Sequence, residues 1–176
     1  MHVATLCSGD KFYKCAGYDV AGGRYWDQEH CGVFDWSERK WKPRKRMDVA
    51  LFYAPSAVAD NRSLYLLGGW QYDSNRTLNV ALRYDSHTDS WTYSPRLGTW
   101  DQPPVANLTQ PRAYHAMVHW GNRLTVLGGM CDVFEHPRSY CTTVEELDLR
   151  LPLHLRQWKV VATMDAPRRE FAAPVI

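Results

Sequence analysis

Five cysteines and seven histidines are the residues of this chain with the most direct capacity for chemistry. Cys131, His136 and Cys141 share one stretch, and thiolate and imidazole groups are ligands that zinc prefers. A zinc site needs a fourth ligand, however, and the chain has no second cysteine pair at metal-binding spacing. A single reactive thiol in this stretch is another interpretation. We expect instead small, buried, hydrophobic cysteines in a cytosolic protein, and no metal.

No group of residues predicts catalysis. The histidines form no ligand motif, and the sequence contains neither a nucleophile elbow nor a phosphate-binding loop. His2 and His115 lie at similar places in two predicted strands, where packing or hydrogen bonding would account for them. We therefore expect neither an enzyme nor a cofactor site.

Three tripeptides fit the acceptor pattern for N-glycosylation. They are Asn61-Arg62-Ser63, Asn75-Arg76-Thr77 and Asn107-Leu108-Thr109. Asparagine is also a preferred turn residue, and Asn61-Arg62 recurs as Asn122-Arg123 at a similar turn. The turn interpretation is favoured, whereas glycosylation would indicate an extracellular protein.

A three-part pattern recurs along the chain. It consists of a β-rich run ending in a glycine pair, then an aromatic residue or leucine followed by aspartate, and then a tryptophan. Recurrence about every 50 to 60 residues is typical of a repeat architecture. Its members are Gly17, Asp35 and Trp41 in the first copy, Gly68, Gly69, Tyr84, Asp85 and Trp91 in the second, and Gly128, Gly129, Asp148 and Trp158 in the third.

Each copy predicts four short antiparallel strands. A run such as 113–119 is followed by a turn at 120–123 and by a second run that ends in the glycines. Glycine at this place suits a backbone that needs a positive φ or passes close to a neighbour. The third run ends at the aspartate, and the fourth begins near the tryptophan. Four such strands describe one blade of a β-propeller.

The glycine pair, the Tyr-Asp step and the tryptophan resemble the Kelch repeat family over almost the entire chain. The copies depart from the family pattern where Ala16 replaces a glycine, where Leu147 replaces a tyrosine, and at 150–154, which resembles an insertion. The resemblance implies an all-β Kelch β-propeller fragment, with about three four-stranded antiparallel blades and the first strand of a fourth.

Closure of the propeller is a problem for a chain of this length. Closed propellers have typically about 4 to 8 blades, so we expect a fragment or a short isoform of a longer protein. Open strand edges predict poor solubility or dimerisation. The predicted blades are residues 2–44, 49–96 and 113–164, and the start of a fourth is 168–176.

Composition agrees with a globular β protein. The chain is 45% hydrophobic and 13% aromatic, which is enough to supply a core. Its formal net charge of +2 indicates neither a nucleic-acid nor a membrane partner. No apolar run approaches the length of a membrane span, and we expect a cytoplasmic location.

A binding surface is expected on the loops, because propeller strands serve as scaffold. In Kelch domains that bind peptides, the resemblance implies a pocket formed by the loops after the glycine pair and by those joining blades. Arginine and large aromatic side chains dominate interface energetics, so these residues are the candidates for contacting an acidic or phosphorylated peptide. They are Arg24, Tyr25, Trp26, Trp70, Tyr72, Arg76, Trp100, Arg112, Phe134, Arg138, Tyr140 and Arg168.

Three functional classes follow from the resemblance. The favoured one is the substrate-recognition domain of a ubiquitin ligase adaptor, in which a BTB domain absent from this chain would bind a cullin. The second is a domain that binds actin or another cytoskeletal protein. The third is an extracellular recognition domain, which the three glycosylation tripeptides would support. A shared fold does not by itself decide between them.

Overall fold

A computed structural model describes residues 4–8, 11–15, 30–59, 63–71, 74–93, 105–132 and 139–170. The regular structure in these residues is antiparallel β-sheet, apart from one 3-10 turn at Leu153–Leu155. Among them there is no helix with the length and apolar character needed to cross a membrane.

Three four-stranded sheets, which we call blades 1 to 3, follow one another along the chain. Blade 1 contains β1 Ala4–Ser8, β2 Lys11–Cys15, β3 Cys31–Asp35 and β4 Lys40–Arg44. Blade 2 contains β5 Ser56–Ala59 and β6 Ser63–Leu67, then a small hairpin of β7 Trp70–Gln71 and β8 Arg76–Thr77, then β9 Ala81–Asp85 and β10 Ser90–Tyr93. Blade 3 contains β11 Ala116–Trp120 and β12 Arg123–Leu127, a small hairpin of β13 Met130–Asp132 and β14 Ser139–Tyr140, then β15 Thr143–Asp148 and β16 Lys159–Thr163.

The strand order within each blade follows the chain, so every blade is a meander with its first strand at one edge. The first strands of neighbouring blades meet, because β5 contacts both β1 and β11. Blades arranged around their first strands are the arrangement of a β-propeller. The predicted fold class, an all-β partial propeller, is therefore confirmed. Most of the predicted first strand of blade 4, residues 168–176, lies outside the described residues.

The core lies between the blades. Strand β6 is buried along its whole length, because successive side chains point to opposite faces of the sheet and each face is covered by a different blade. Leu64 packs with Tyr13 and Val33 of blade 1, whereas Tyr65 packs with Leu124 of blade 3. Blade 2 thus holds the two outer blades together through its own two faces.

The glycine pairs adopt the same backbone conformation in blades 2 and 3. Gly68 and Gly69 have φ of 60° and 94°, and Gly128 and Gly129 have φ of 67° and 93°. These angles are unfavourable for residues with a Cβ atom. A Cβ on Gly129 would also lie only 2.5 Å from the carbonyl oxygen of Ala113. The recurring pair is therefore required by both the dihedral angles and the close approach of the next segment.

The aspartate of each repeat closes the turn between the third and fourth strands. Asp35 Oδ1 accepts hydrogen bonds from the backbone N–H groups of Ser37 and Glu38, at 2.9 and 3.1 Å. Asp85 and Asp148 accept equivalent bonds in the other blades. Such bonds stabilise turns, which explains why aspartate recurs there.

The departure from the repeat in blade 3 is an ordered segment. Arg156 donates hydrogen bonds to the carbonyl oxygens of Leu151 and Leu149, at 2.8 and 2.6 Å. Its Nη1 also donates to the hydroxyl of Tyr65 in blade 2, at 3.0 Å. The segment before Trp158 is consequently attached to the neighbouring blade as well as to its own.

Four of the five cysteines form disulfides, so the prediction of unpaired buried cysteines is wrong. Cys15 and Cys31 are opposite partners on β2 and β3 with Cα atoms 4.2 Å apart, and Cys131 and Cys141 have Cα atoms 5.3 Å apart. The second disulfide also argues against the two alternative interpretations, a zinc site and a reactive thiol at Cys131 and Cys141, since disulfide sulfurs are not thiolates. Among the described residues there is no other cluster that could hold a metal ion.

Candidate ligand-binding face

The described parts of the segments in which ligand contacts were predicted lie at one end of the blades, apart from Arg112. In a four-stranded meander the first and third connections leave from one end, and the second connection leaves from the other. The segments joining successive blades return to that second end. We call it the loop face, and the end with the first and third connections the turn face.

Two small hairpins extend the loop face beyond the glycine pairs. In blade 2, Trp70 pairs with Thr77 and Gln71 pairs with Arg76. In blade 3, Met130 pairs with Tyr140. Strands β8 and β13 are in contact, so the two hairpins are neighbours on the loop face.

A backbone ladder runs through the residues that enter each blade at this face. Tyr53, Tyr114 and Glu170 have φ of 54°, 57° and 52°, which is uncommon for residues with a side chain. The N–H of Tyr114 donates to the carbonyl oxygen of Tyr53 at 3.1 Å, and the N–H of Glu170 donates to the carbonyl oxygen of Tyr114 at 3.0 Å. The three residues therefore occupy equivalent positions in successive repeats.

Aromatic rings project from this ladder. The rings of Tyr53 and Tyr114 stack with centroids 4.0 Å apart and planes 22° apart. Trp70 lies next to Tyr53 at 6.5 Å in a stacked orientation, and contacts Phe52 at 5.2 Å. Tyr53, Tyr114 and Trp70 are each only partly buried. We call these three residues the aromatic platform, because it offers an apolar surface with polar edges to solvent.

Two charged side chains, Arg169 and Glu170, lie close enough to the platform to act on Tyr114. Arg168 and Arg169 precede Glu170 on the ladder, and both arginines are exposed. The pKa of the Tyr114 hydroxyl is raised, first by burial and then by a hydrogen bond with Tyr53 and the negative charge of Glu170. The hydroxyl is thus a neutral hydrogen-bonding group at physiological pH.

Arg112 does not belong to this surface, and its prediction as a partner contact is wrong. Its side chain is fully buried, and its guanidinium forms an ion pair with the buried carboxylate of Glu145. It also donates to the carbonyl oxygens of Gly128 and Thr143, each at 3.1 Å. The other Glu145 oxygen accepts the N–H of Thr109 at 2.7 Å. Arg112 is therefore a structural residue that joins the segment after blade 2 to blade 3.

His115 lies behind the platform, next to the same ion pair. Its side chain is buried, and the structure shows no hydrogen-bond partner for either ring nitrogen. Burial, together with the charge of Arg112, lowers its pKa well below the ordinary value of 6.5. The ring is accordingly neutral at physiological pH and packs against Gly68, whereas the His115 Cβ lies against Gly129.

The loop face brings together four of the predicted contact residues. Trp70 and Arg76 lie on the β7–β8 hairpin, Tyr140 lies on β14 and is 39% exposed, and Arg168 lies beside the ladder. Seven further predicted contacts lie outside the described residues: Arg24, Tyr25, Trp26, Tyr72, Trp100, Phe134 and Arg138.

The sequence prediction missed Tyr53 and Tyr114. Both are tyrosines that come shortly before the first strand of a blade, and this recurrence was the available signal. The blade-joining loops predicted from the sequence, residues 43–49 and 97–112, end before these tyrosines.

Comparison with known proteins supports the β-propeller fold. The family model for the Kelch motif matches residues 52–101. The solved structure of YjhT matches with a TM-score of 0.69 and 13% sequence identity, over 95% of this chain and 53% of that chain. At this identity the likeness concerns the fold. A search of curated proteins finds no match.

The chain therefore contains a Kelch motif and folds as part of a Kelch-type β-propeller. Kelch propellers are in general protein-interaction domains, because their loops can vary while the strands serve as scaffold. The chain spans about half the length of the YjhT structure that it matches.

Proposed function

We propose that the loop face binds an acidic segment of a partner protein. The observation that carries the proposal is the aromatic platform of Tyr53, Trp70 and Tyr114, which is partly exposed, with the charge of Arg169 acting on Tyr114 and the exposed Arg168 next to it in sequence. Aromatic rings provide a large, rigid contact area, and arginine provides paired hydrogen bonds to a carboxylate or phosphate.

The chemistry of the platform suggests how such a segment is held. Its apolar side chains pack on the rings of Tyr53 and Trp70, while its acidic groups lie toward the two arginines. The hydroxyl of Tyr114, which is hydrogen-bonded to Tyr53, retains the capacity to accept a hydrogen bond from a backbone N–H of the ligand. This combination of an aromatic anchor with a charged rim is the usual pattern of interface hot spots.

A peptide array tests the proposal directly. The purified chain is applied to acidic, phosphorylated and charge-neutral peptides, and we expect retention on acidic or phosphorylated sequences. The variant Trp70→Ala/Arg168→Glu should lose about 10-fold or more of the affinity, since hot-spot residues contribute more than 1 kcal/mol each. The matched control is Trp120→Ala/Arg150→Glu, which changes an exposed tryptophan and arginine on the turn face. Equal binding by both variants would contradict the assignment.

We further propose that the bound protein is a substrate of a cullin ubiquitin ligase for which this propeller provides recognition. The support is the Kelch motif and the resemblance of the repeats to Kelch adaptors. The BTB domain that would bind the cullin is a separate unit. Expression of this chain together with the sequence that flanks it in its gene, followed by affinity purification, should recover a cullin. Recovery of actin without a cullin would favour the cytoskeletal alternative.

The disulfides favour a second candidate, an extracellular recognition domain. Stable disulfides are typical of oxidising compartments. Asn75 lies in an exposed turn with a φ of 51°, and Asn107 is also exposed, so two of the three acceptor tripeptides are accessible. Treatment of the natural protein with a glycosidase should then lower its mass, whereas an unchanged mass and reduced cysteines would favour the adaptor.

A further inference from the structure

The two disulfides of this chain differ in their surroundings. Cys15 and Cys31 are almost completely buried, and they belong to an apolar cluster that includes Leu66 of β6. In the second disulfide Cys141 is buried, but Cys131 is partly exposed. Thiol–disulfide exchange requires access of the attacking thiolate to one of the two sulfurs. A reductant in solution therefore has a better approach to the second disulfide than to the first.

Met130 connects the second disulfide to the aromatic platform. It directly precedes Cys131, and its backbone N–H and carbonyl groups pair with those of Ala113 at 2.8 and 2.9 Å. Ala113 in turn directly precedes Tyr114 of the platform. The Met130 sulfur also accepts a hydrogen bond from Arg169 at 3.2 Å. A change in the position of Met130 therefore alters the support of both Tyr114 and Arg169.

The disulfide holds both strands of the β13–β14 hairpin next to Met130. Met130 pairs with Tyr140 across the hairpin, and each of these two residues is followed by one of the cysteines. The N–H of Cys141 donates to the carbonyl oxygen of Gly129, the residue before Met130, at 3.0 Å. A short two-stranded hairpin has little stability of its own, so the covalent bond contributes to keeping this one closed.

The reduced cysteines are also accommodated at this place. Cys131 Sγ lies 3.1 Å from Gln110 Oε1, and Cys141 Sγ lies 3.7 Å from the carbonyl oxygen of Pro111. A thiol is a weak hydrogen-bond donor, so each cysteine, once reduced, has an acceptor within reach. Reduction therefore leaves the buried Cys141 thiol with a partner, and both redox states are compatible with the fold.

We propose that the Cys131–Cys141 disulfide is a redox switch of the loop face. In the oxidised protein the closed hairpin holds Met130 in place, and Met130 supports Tyr114 and Arg169. In the reduced protein the hairpin is held by its hydrogen bonds alone, so these two residues lose part of that support and bind a ligand less well. The loss of ligand binding rests on the proposed function, whereas the loosening of the hairpin does not.

The reduction itself is a thiol–disulfide exchange with a dithiol reductant. One thiolate of the reductant attacks Cys131 Sγ, the disulfide bond breaks, and Cys141 leaves as a thiolate that takes up a proton. The second thiolate of the reductant then attacks the mixed disulfide, which forms the reductant's own disulfide and releases Cys131 to be protonated. Two electrons and two protons thus pass from the dithiol to the protein.

Graded reduction of the wild-type chain tests the switch. Dithiothreitol is added under native conditions, and the free thiols are alkylated and assigned by mass spectrometry. We expect Cys131 and Cys141 to be reduced at a concentration about 10-fold or more below that required for Cys15 and Cys31, since the second disulfide is the more exposed. Hydrogen exchange at Ala113 should then become about 5-fold faster, with an unchanged circular dichroism spectrum. Reduction of both disulfides together, or unchanged exchange at Ala113 after selective reduction, would overturn the switch.

The variant Cys131→Ser/Cys141→Ser reproduces the reduced state without a reductant. Under oxidising conditions it should show the fast exchange of the reduced wild type, and dithiothreitol at the concentration that opens the second disulfide should have no further effect on it. A response of this variant equal to that of the wild type would show that the effect does not pass through Cys131 and Cys141.

Peptide binding separates the switch from the proposed function. We expect the oxidised wild type to bind acidic peptides about 10-fold more tightly than the reduced protein or the double variant, because the closed hairpin is organised before binding. Equal binding in both redox states would overturn the switch and leave the proposed function intact. Redox-dependent exchange without any peptide binding would support the switch and contradict the proposed ligand.

Discussion

At the scale of single residues, the buried charges of this protein act between segments and not toward a ligand. Arg112 and Glu145 are completely buried, and every hydrogen bond of the Arg112 guanidinium that the structure shows goes to blade 3. A buried ion pair is weak evidence of net stabilisation, but removal of one partner leaves an unpaired buried charge. The pair therefore makes the segment before blade 3 sensitive to substitution.

Substitution of Arg112 by alanine should strongly destabilise the fold. We expect a loss of about 3 to 5 kcal/mol in the free energy of unfolding, measured by urea denaturation, because Glu145 remains buried without its partner. Arg123→Ala removes a solvent-exposed ion pair with Glu146 and should cost about 1 kcal/mol or less. A similar loss in both variants would show that burial of the first pair has no special role.

His115 should make the protein sensitive to mild acid. Its pKa is lowered on folding by burial and by Arg112, so the unfolded chain binds a proton that the folded chain does not. Its contribution to stability is complete above the unfolded pKa of about 6.5 and decreases as the pH falls toward the lower folded value. The expected slope is about 1.4 kcal/mol per pH unit. Urea denaturation between about pH 7 and pH 5 should show this slope in the wild type and a smaller one in His115→Asn. Equal slopes would refute the assignment.

Some roles of single residues could be predicted from the sequence, and others could not. The aspartates and glycines of the repeat could be predicted, because each serves a local demand of a turn or of the backbone. The burial of Arg112 could not be predicted, because it depends on which of two adjacent glutamates, Glu145 or Glu146, points inward. That choice is determined by the register of β15, which the local sequence does not reveal.

At the scale of secondary structure, the insertion in blade 3 is attached by one side chain. Arg156 joins the 3-10 segment at Leu153–Leu155 to the carbonyl oxygens before it and to the Tyr65 hydroxyl of blade 2. The sequence predicted an interruption of the repeat here. It did not predict an ordered contact with another blade, since the partner tyrosine is distant along the chain.

Removal of the Arg156 side chain should loosen this insertion. We expect Arg156→Ala to lower stability by about 2 kcal/mol, because several partly buried hydrogen bonds are lost together. Hydrogen exchange should become faster at residues 150–158 before it changes in β12. Arg150→Ala removes an exposed side chain paired locally with Asp148 and serves as the control. Unchanged exchange at the insertion would show that Arg156 does not hold it.

The disulfides are a second feature at this scale that the sequence could not predict. Cys15 and Cys31 are opposite each other only because β2 and β3 are adjacent and in register, with a long connection between them. Spacing along the chain cannot show this, and the odd total of cysteines argued against pairing. The strands themselves were predictable from their alternation and from the glycines that end them.

At the scale of the whole molecule, stability depends on the two faces of blade 2. Neighbouring residues of β6 serve different partners: Leu66 packs with Cys15 and Cys31 of blade 1, whereas Leu67 packs with Leu124 of blade 3. Repeat proteins have stabilities that are approximately sums of repeat and interface terms. A substitution on one face of β6 should consequently weaken the contact of blade 2 with one neighbouring blade and leave its contact with the other intact.

A pair of adjacent alanine substitutions should demonstrate this. Leu66→Ala and Leu67→Ala should each cost about 2 to 5 kcal/mol, as expected for fully buried leucines. We expect Leu66→Ala to reduce hydrogen-exchange protection in β2 and β3, and Leu67→Ala to reduce it in β12 and β15. The same exchange pattern in both variants would mean that the three blades open as one unit.

The backbone ladder of Tyr53, Tyr114 and Glu170 gives the row of repeats a polarity. At each joint the carbonyl oxygen of the earlier repeat accepts a hydrogen bond from the amide of the next repeat, so the joint has a direction along the chain. Because the joint is formed by main-chain atoms, a unit exchanged at these positions keeps its connection whatever side chains it carries. A repeat with different loops could therefore be inserted into the row, because the main-chain hydrogen bonds of the ladder do not depend on side chains.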